Sequence, residues 1–207
     1  RFSIVKESDV MAKNIEYSKE IDSLGVSFTC RAKNDEFSCY ICSPGEFSIY
    51  NALAVISVCR YLKVDQDIMI NSLKKAKVNG RVEVLPVLPY ATVIVDYAHN
   101  GVSLENILQT LKKYDHNRLI CLFGSVGGRT EIRRKELGDV AARECDLCIL
   151  TSDNPDFEDP MNVIRDIAES FEGTNCEYVV EPDRKVAIEM AIEMAKEGDM
   201  IVFAGKG

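Results

Sequence analysis

The chain lacks three features that would each have pointed to a large class of proteins. No apolar run within its 207 residues approaches the ~20 residues that a membrane-spanning helix needs. Its formal net charge is -8 and no basic face is evident, although binding to a nucleic-acid backbone needs positive charge. It also contains no Gly-x-x-x-x-Gly-Lys-Ser/Thr, the loop that cradles nucleotide phosphates. We therefore expect no membrane insertion, no nucleic-acid partner and no complete phosphate-binding loop.

Eight cysteines could indicate disulfides or a zinc site. Two pairs, Cys39/Cys42 and Cys145/Cys148, have the Cys-x-x-Cys spacing of metal ligands. Each pair lies in or runs into an apolar stretch, where residues three apart on a strand point to opposite faces. About a hundred residues separate the pairs, which is far longer than the spacing of compact zinc ribbons. We therefore predict reduced cysteines used as small buried hydrophobic residues in a cytoplasmic protein.

The first part of the chain reads as a set of short strands followed by two helices. Residues 1–4 begin abruptly inside a strand-like run with no signal peptide, so we expect a fragment of a longer protein. After a Ser-Pro-Gly break at residues 43–45, apolar spacing predicts helices from Ser48 and from Asp65. Two prolines mark a linker, so we place a domain boundary after residue 88. The predicted strands cover residues 3–5, 10–17, 25–31 and 36–42.

From residue 89 the pattern changes to a regular alternation of strands and helices. Such alternation predicts an α/β fold in which helices cover both faces of a Rossmann-like parallel sheet. The predicted strands cover residues 91–95, 118–123, 146–150, 177–180 and 200–203, and the predicted helices cover 101–113, 131–144, 160–171 and 183–196.

Three polar clusters directly follow apolar runs in this second part. They are Asp96–Asn100, Ser152–Pro155 and Ala204–Gly207. Short apolar runs without polar alternation are typical of buried parallel strands. Ligands of open parallel sheets bind beyond the carboxyl ends of the strands, so we expect the three clusters to converge on one site.

A glycine-rich loop, Gly124–Arg129, follows another predicted strand. It matches neither the P-loop nor the dinucleotide fingerprint, so its glycines alone indicate only a tight turn. Arg129 lies in the loop itself, where a planar guanidinium could bind a carboxylate through two hydrogen bonds. The basic residues that follow, Arg133, Arg134 and Lys135, could form a solvated helix face.

The residues of the other clusters have both structural and functional interpretations. The Asn-Pro pair within Asp153–Asp156 favours an extended bend that aims the preceding carboxylate outward, although the tetrapeptide by itself is simply a loop. Asp96 could accept hydrogen bonds from ribose hydroxyls, as acidic residues do after strands in nucleotide-binding folds. His99 could act as a general base or cap a helix.

Taken together, four motifs resemble the C-terminal part of the Mur ligases. They are Asp96–Asn100, Gly124–Arg129, Asp153–Pro155 and Gly205–Gly207, and the similarity can be followed from about Ser43 to the last residue. Within the superfamily they are most similar to the UDP-N-acetylmuramoyl-tripeptide synthetases, which use ATP to add the third amino acid of the peptidoglycan stem peptide. The resemblance implies that residues 1–88 end the central ATP-binding domain and that residues 89–207 form the C-terminal glutamate-ligase domain.

The resemblance also implies a role for individual residues. On the ATP side it implies Asn51 near the adenine, Arg81 near the ribose and phosphates, and Asp96 and His99 facing ATP. For the pocket of the incoming amino acid it implies Arg129, Asp153, Asn154, Pro155, Asp156 and Gly205.

The expected cofactors are ATP and Mg²⁺, with the magnesium ligands and a carboxylated lysine in a part of the parent protein that is not in this sequence. The expected partners are the UDP-N-acetylmuramoyl dipeptide and a free diamino acid, which join by way of an acyl phosphate in a cytoplasmic monomer. The fragment alone should be inactive.

One position departs from the family pattern. Enzymes specific for meso-diaminopimelate usually have Arg after Asp-Asn-Pro, to pair with the distal carboxylate, whereas this chain has Asp156. A carboxylate repels another carboxylate and attracts an ammonium, so we predict a preference for L-lysine or a similar diamino acid. If diaminopimelate is used efficiently, Arg133 or Arg134 would have to supply the positive charge.

Two other functions remain open at this point. Folylpolyglutamate synthase shares the domain plan but adds glutamate, which an Asp-Asn-Pro-Asp pocket suits less well than an amine-bearing side chain. A non-catalytic Mur-like binding protein also fits, and an intact P-loop lysine upstream would exclude it.

Overall fold

The chain folds into two compact units that divide between Val78 and Asn79. The computed structural model describes residues 1–20, 23–33, 35–128 and 131–206. Within these ranges, no helix is both long and apolar enough to cross a lipid bilayer.

The first unit is a four-stranded sheet with two helices. Strands β2, β3 and β4 form an antiparallel meander, and β1 pairs in parallel with β2. Alternate residues of β3, among them Val26, Phe28 and Cys30, are buried in one core with residues of the first helix. The predicted four strands and two helices are therefore confirmed. Their bounds are β1 Phe2–Ser3, β2 Val10–Glu20, β3 Ser23–Ala32, β4 Asp35–Ile41, α1 Glu46–Tyr61 and α2 Gln66–Lys75.

The second unit is a six-stranded sheet in the order β5-β6-β10-β7-β8-β9, and all its strands except β5 run in parallel. The prediction of an α/β fold with a parallel sheet is confirmed. A short 3-10 helix, Glu169–Phe171, follows α5. The bounds are β5 Glu83–Leu85, β6 Thr92–Asp96, α3 Gly101–Leu111, β7 Leu119–Phe123, α4 Glu131–Glu144, β8 Leu147–Leu150, α5 Pro160–Ala168, β9 Glu177–Val180, α6 Arg184–Glu193 and β10 Met200–Ala204.

The central strands of this sheet are apolar throughout because both of their faces are covered. Val93, Ile120 and Ile201 are completely buried in one cluster that includes residues of α6. Polar side chains start the helices: Asn100 accepts from the N–H of Ser103 at the start of α3. These N-caps satisfy backbone donors that have no partner within the helix.

The segment interpreted as a linker belongs to the second unit. The prolines led to a boundary at residue 88, but Glu83–Leu85 forms β5 and pairs antiparallel with β6. Just before it, the N–H of Val82 donates to Asp96 Oδ2 at 2.9 Å. The prolines Pro86 and Pro89 therefore lie in the turn between two paired strands, and the units divide earlier than predicted.

All eight cysteines are free, and six of them are buried. Burial raises the pKa of Cys30 to about 11 and that of Cys39 to about 12, which keeps both thiols protonated. The described residues contain no group of His, Cys, Asp and Glu side chains that could hold a metal ion.

Asp199 forms a buried ion pair at the amino-terminal edge of the parallel strands. Its side chain is only 1% exposed, and it accepts from Arg118 Nε at 3.0 Å and from the N–H of Lys196 at 2.7 Å. Burial raises the pKa of this carboxyl, but the hydrogen bonds from Arg118 and Lys196 outweigh burial and hold it below its ordinary value.

We expect Asp199→Asn to lower the free energy of unfolding by about 2–3 kcal/mol near neutral pH, because charge-assisted hydrogen bonds are lost. A depressed carboxyl pKa stabilises the fold above the unfolded-state value of about 3.9, and this contribution disappears as pH falls through the folded-state value. The difference between the two proteins should therefore shrink in acid. Urea unfolding across pH measures it, with the exposed Glu193→Gln as control. A difference that stays constant down to about pH 3 would contradict the assignment.

Candidate functional site

The polar clusters after β6, β8 and β10 meet at one edge of the second unit's sheet. Gly205 donates its N–H to the carbonyl of Asp96 at 3.1 Å. A methyl group on Gly205 would lie 3.7 Å from Asp153 Oδ2 and 4.0 Å from the carbonyl of Ala98. Lys206 Nζ lies 3.3 Å from Asp153 Oδ1. The clusters therefore converge beyond the carboxyl ends of the strands, as the strand pattern predicts.

The glycine-rich loop packs backbone against backbone on the loop that follows β8. The N–H of Gly127 donates to the carbonyl of Asn154 at 2.8 Å. A methyl group on Gly127 would lie 2.0 Å from the carbonyl oxygen of Pro155, and one on Gly124 would lie 2.3 Å from that of Thr151. No side chain fits in either place, so these glycines serve the contact between two loops as well as a tight turn.

Arg129, which we predicted to bind a carboxylate from this loop, lies outside the described residues. Directly before it, Gly128 adopts a positive φ of 65° and donates its N–H to Glu158 Oε2 at 3.0 Å. Hydrogen bonds from Arg134 and then from Gly128 hold the pKa of the Glu158 carboxyl below its ordinary value. This carboxylate thus ties the end of the loop to the start of α5.

Arg134 is buried and paired with two carboxylates, and only its Nε atom lacks a partner among the described residues, which corrects two interpretations of it. Its side chain is 3% exposed and donates to Glu158 Oε1 at 2.8 Å and to Asp166 Oδ2 at 2.6 Å. It therefore belongs to no solvated helix face, and it is not free to pair with a substrate carboxylate. Lys135 pairs on the surface with Asp139. Arg133 is half-buried.

Asp156 lies beside the glycine-rich loop. It is exposed and adopts a positive φ of 56°, a conformation that Asp tolerates better than most residues do. A methyl group on Gly128 would lie 3.4 Å from its Oδ2 atom. The carboxylate is therefore close to the backbone that leads into Arg129.

Four buried polar atoms at this edge have no hydrogen-bond partner within the part of the chain that the structure describes. They are Ser125 Oγ, Thr151 Oγ1, Asp153 Oδ1 and Arg184 Nη1. Buried polar groups are nearly always satisfied, so a cluster of exceptions indicates room for a ligand or water. Ser125, Thr151 and Arg184 were not predicted as site residues, because no spacing in the sequence distinguishes them from ordinary loop and helix residues.

Arg184 links α6 to the end of β10. Its Nη2 atom donates to the carbonyl of Ala204 at 2.9 Å. Burial lowers the pKa of its guanidinium, and the charge of Asp153 opposes that change. The carboxylate of Asp153 therefore has a second cation near it, in addition to Lys206.

Three of the four residues predicted for the ATP side lie together. The guanidinium of Arg81 lies over the ring of Tyr97, 5.2 Å from its centroid, and the rings of Tyr97 and His99 are 5.0 Å apart. His99 Nδ1 is 3.0 Å from the carbonyl of Tyr97. The cap of α3 is Asn100, so His99 does not cap that helix. Asn51 is an exposed residue of α1 in the first unit.

Asp96 is buried and holds backbone in place. Its Oδ1 atom accepts from the N–H of Ala98 at 2.8 Å and its Oδ2 atom from that of Val82 at 2.9 Å. Each carboxylate oxygen can accept one more hydrogen bond. Asp96 thereby brings the segment that carries Arg81 to the carboxyl end of β6.

A mostly parallel sheet with unsatisfied polar atoms at its carboxyl edge is typical of α/β domains that bind ligands there. Residues 80–207 match the family described as Mur ligase, glutamate ligase domain. The UDP-N-acetylmuramoyl-L-alanyl-D-glutamate–2,6-diaminopimelate ligase of Clostridium perfringens is 42% identical, over 100% of this chain and 42% of that protein. Its counterpart in Clostridioides difficile is 38% identical with the same coverage. The chain belongs to the Mur ligase family, which confirms the resemblance, and it spans less than half the length of these curated relatives.

Solved structures show the same fold. A UDP-N-acetylmuramoyl-L-alanyl-D-glutamate–2,6-diaminopimelate ligase superposes with a TM-score of 0.72 at 28% identity, covering 100% of this chain and 42% of its own. A folylpolyglutamate synthase of Mycobacterium tuberculosis complexed with ADP and AMPPCP has a TM-score of 0.74 at 20% identity, covering 96% of this chain and 46% of its own. At that identity the second likeness concerns the fold alone.

We expect Gly127→Ala to push the two loops apart, because its methyl group would meet a backbone carbonyl that cannot rotate away. The overpacking should cost about 1–3 kcal/mol of unfolding free energy, measured by denaturant unfolding of the full-length parent. Gly173→Ala is the control: its φ is 72° and nothing lies within 4 Å. The control should show only the backbone strain, so its loss of stability should be the smaller of the two. Equal losses in the two variants would show that the stability does not depend on the close contact between the loops.

Proposed function

We propose that the protein to which this chain belongs is an ATP-dependent ligase that adds a diamino acid to UDP-N-acetylmuramoyl-L-alanyl-D-glutamate in the cytoplasm. The main observation behind the proposal is a pair of hydrogen-bonded loops at the carboxyl edge of the second unit's sheet. There the loop leading into Arg129 and the loop bearing Asp153 and Asn154 are hydrogen-bonded to each other. The names of the 38–42% identical relatives support the same reaction.

In this proposal the second unit holds the incoming amino acid. Arg129 binds its α-carboxylate through a bidentate pair, and Asp153 and Asn154 accept hydrogen bonds from its side-chain ammonium. Gly205, Pro155 and Asp156 complete the walls of the pocket. The free amine then attacks the activated γ-carboxyl of the dipeptide, and these residues contribute mainly by positioning it.

ATP supplies the phosphoryl group that converts this γ-carboxyl into an acyl phosphate. Arg81 fits the ATP side because its guanidinium is exposed and stacked on Tyr97 at the carboxyl end of β6. Asp96, which still has acceptor capacity, and His99, which is exposed, lie next to it. We assign Asn51 to the adenine on the family resemblance.

The first unit is proposed to be the end of the central ATP-binding domain. No group of metal-binding side chains exists among the described residues, so the magnesium ligands are assigned to the remainder of the parent protein. The isolated chain should accordingly be inactive, and the parent is proposed to act as a monomer.

The proposal also specifies which amino acid is added. The relatives are named for 2,6-diaminopimelate, which has a distal carboxylate in addition to its ammonium. Asp156 would repel that carboxylate, and Arg134 is already paired with two carboxylates. We therefore propose L-lysine or a similar diamino acid as the preferred substrate, and Arg133 as the residue that would permit diaminopimelate.

In the full-length parent, Arg129→Ala should raise the KM for the amino acid about 10- to 100-fold and leave the KM for ATP nearly unchanged. A lost bidentate, charge-assisted pair is worth about 1.5–3 kcal/mol. Steady-state ligation kinetics measure both constants, and the exposed Arg165→Ala is the matched control. Equal increases in both constants would assign Arg129 to the phosphates, and an unmodified parent that ligates no amino acid would refute the function itself.

Asp156→Arg should shift the preference of the parent from L-lysine towards meso-diaminopimelate. It replaces a repelling charge with an attracting one, a change of about 1–4 kcal/mol in a partly shielded cleft. Competition assays with both amino acids measure the ratio of kcat/KM. Phe157→Arg adds a cation at the neighbouring exposed position and should leave the ratio unchanged. Efficient use of diaminopimelate by the unmodified enzyme would contradict the prediction, and its loss in Arg133→Ala would then identify the compensating residue.

A further inference from the structure

The ammonium group of Lys206 lies among three oxygen atoms of the loop that follows β8. Its Nζ atom is 3.0 Å from the carbonyl of Asp153 and 3.1 Å from Asn154 Oδ1. The carboxylate atom Asp153 Oδ1 lies 3.3 Å away. An ammonium has three donors, so one carboxylate and two neutral oxygens form a suitable cage for it. We call these three oxygens the ammonium cage.

The carboxylate of the cage is buried in the loop, whereas the lysine reaches it from the surface. The side chain of Asp153 is 7% exposed and that of Lys206 is 42% exposed. Asp153 Oδ1 has no hydrogen-bond partner within the described residues, so its contact with Lys206 is an ion pair without a well-aligned hydrogen bond. A buried carboxylate therefore retains capacity for a better-placed donor.

Three other lysine ion pairs of the second unit each involve a single carboxylate. Lys112 of the α3 C-terminus pairs with Glu144 of α4 at 2.8 Å. Lys135 and Lys185 each pair with a carboxylate one helical turn away, at 3.1 Å and 4.0 Å. Such partners are typical of solvated helix surfaces. Lys206 instead bridges from the end of β10 to the loop that the proposed function assigns to the amino-acid side chain.

We infer that Lys206 is a specificity-determining residue whose ammonium stands in for the side-chain ammonium of the incoming amino acid and leaves the cage when that amino acid binds. This inference rests on the proposed function and deepens it. A diamino acid replaces one ammonium with another, so the buried carboxylate remains compensated throughout. A neutral side chain offers no such replacement, so Lys206 stays in the cage and excludes it.

Displacing Lys206 from the cage costs little free energy. The displaced lysine is partly exposed, so water solvates its freed ammonium. The buried carboxylate of Asp153 keeps the charge of Arg184 near it even when the lysine has left. Removing the lysine should therefore strengthen substrate binding slightly. A lysine that merely braced the loop would have the opposite effect, since its loss would disorder the site.

The first test compares Lys206→Met with Lys185→Met in the full-length parent. The KM for the diamino acid should fall about two- to fivefold in Lys206→Met, with the KM for ATP unchanged. Neutral amino acids of similar length, such as norleucine, should become weak competitive inhibitors of this variant only. Lys185→Met should match the unmodified protein. A KM that rises or stays unchanged in Lys206→Met, and equally in Lys206→Ala, would overturn the inference.

A second measurement separates this inference from the proposed function. Butylammonium is used as the probe, and its binding to the full-length protein is measured by calorimetry without ATP or dipeptide. Lys206→Met should bind the probe more tightly than the unmodified protein, and adding Asp153→Asn should abolish the gain. Equal binding by both proteins would refute the stand-in role even if ligation is found. A gain in a parent that ligates no amino acid would support the cage while refuting the reaction.

Discussion

The site depends on the insertion of β10 between β6 and β7. Backbone hydrogen bonding pairs Ala204 with Asp96 on one side and Phe203 with Leu122 on the other. This pairing places the last residues of the chain beside residues that lie far earlier in the sequence. Because nearly all side chains of these strands are buried, a shift of the pairing would expose the core, and the register is strongly specified.

The two loops on the other side of the site are held by backbone contacts and one buried cation. Gly127 and Gly124 permit the close approach, and Arg134 orients Glu158, which in turn holds the N–H of Gly128. A buried arginine is costly unless it is paired, and here both carboxylate partners are present, although its Nε atom has no partner among the described residues. These contacts suit the function that we propose, in which the site positions a substrate rather than supplying a base.

Charge is distributed unevenly along this edge. Asp153 is close to Lys206 and under the influence of Arg184, whereas Asp156 is exposed and has no ion pair within the described residues. The two carboxylates of one tetrapeptide therefore have different electrostatic surroundings. In the function that we propose, the first exchanges one ammonium for another, and the second repels or attracts the far end of the substrate.

The strand and helix pattern of both units could be read from the sequence, because buried parallel strands are short apolar runs and their helices begin at capping residues such as Asp159 and Asp183. The convergence of the three polar clusters followed from the same pattern, since carboxyl ends of parallel strands share an edge. The sequence also indicated the family, through four motifs in order. Only the tertiary structure revealed β5, whose three half-buried residues carry no periodic signal. It alone decided that Arg134 is buried, that Asp96 holds backbone, and that Lys206 lies in the ammonium cage. Each of these depends on contacts between residues far apart in sequence, and local spacing carries no information about such contacts.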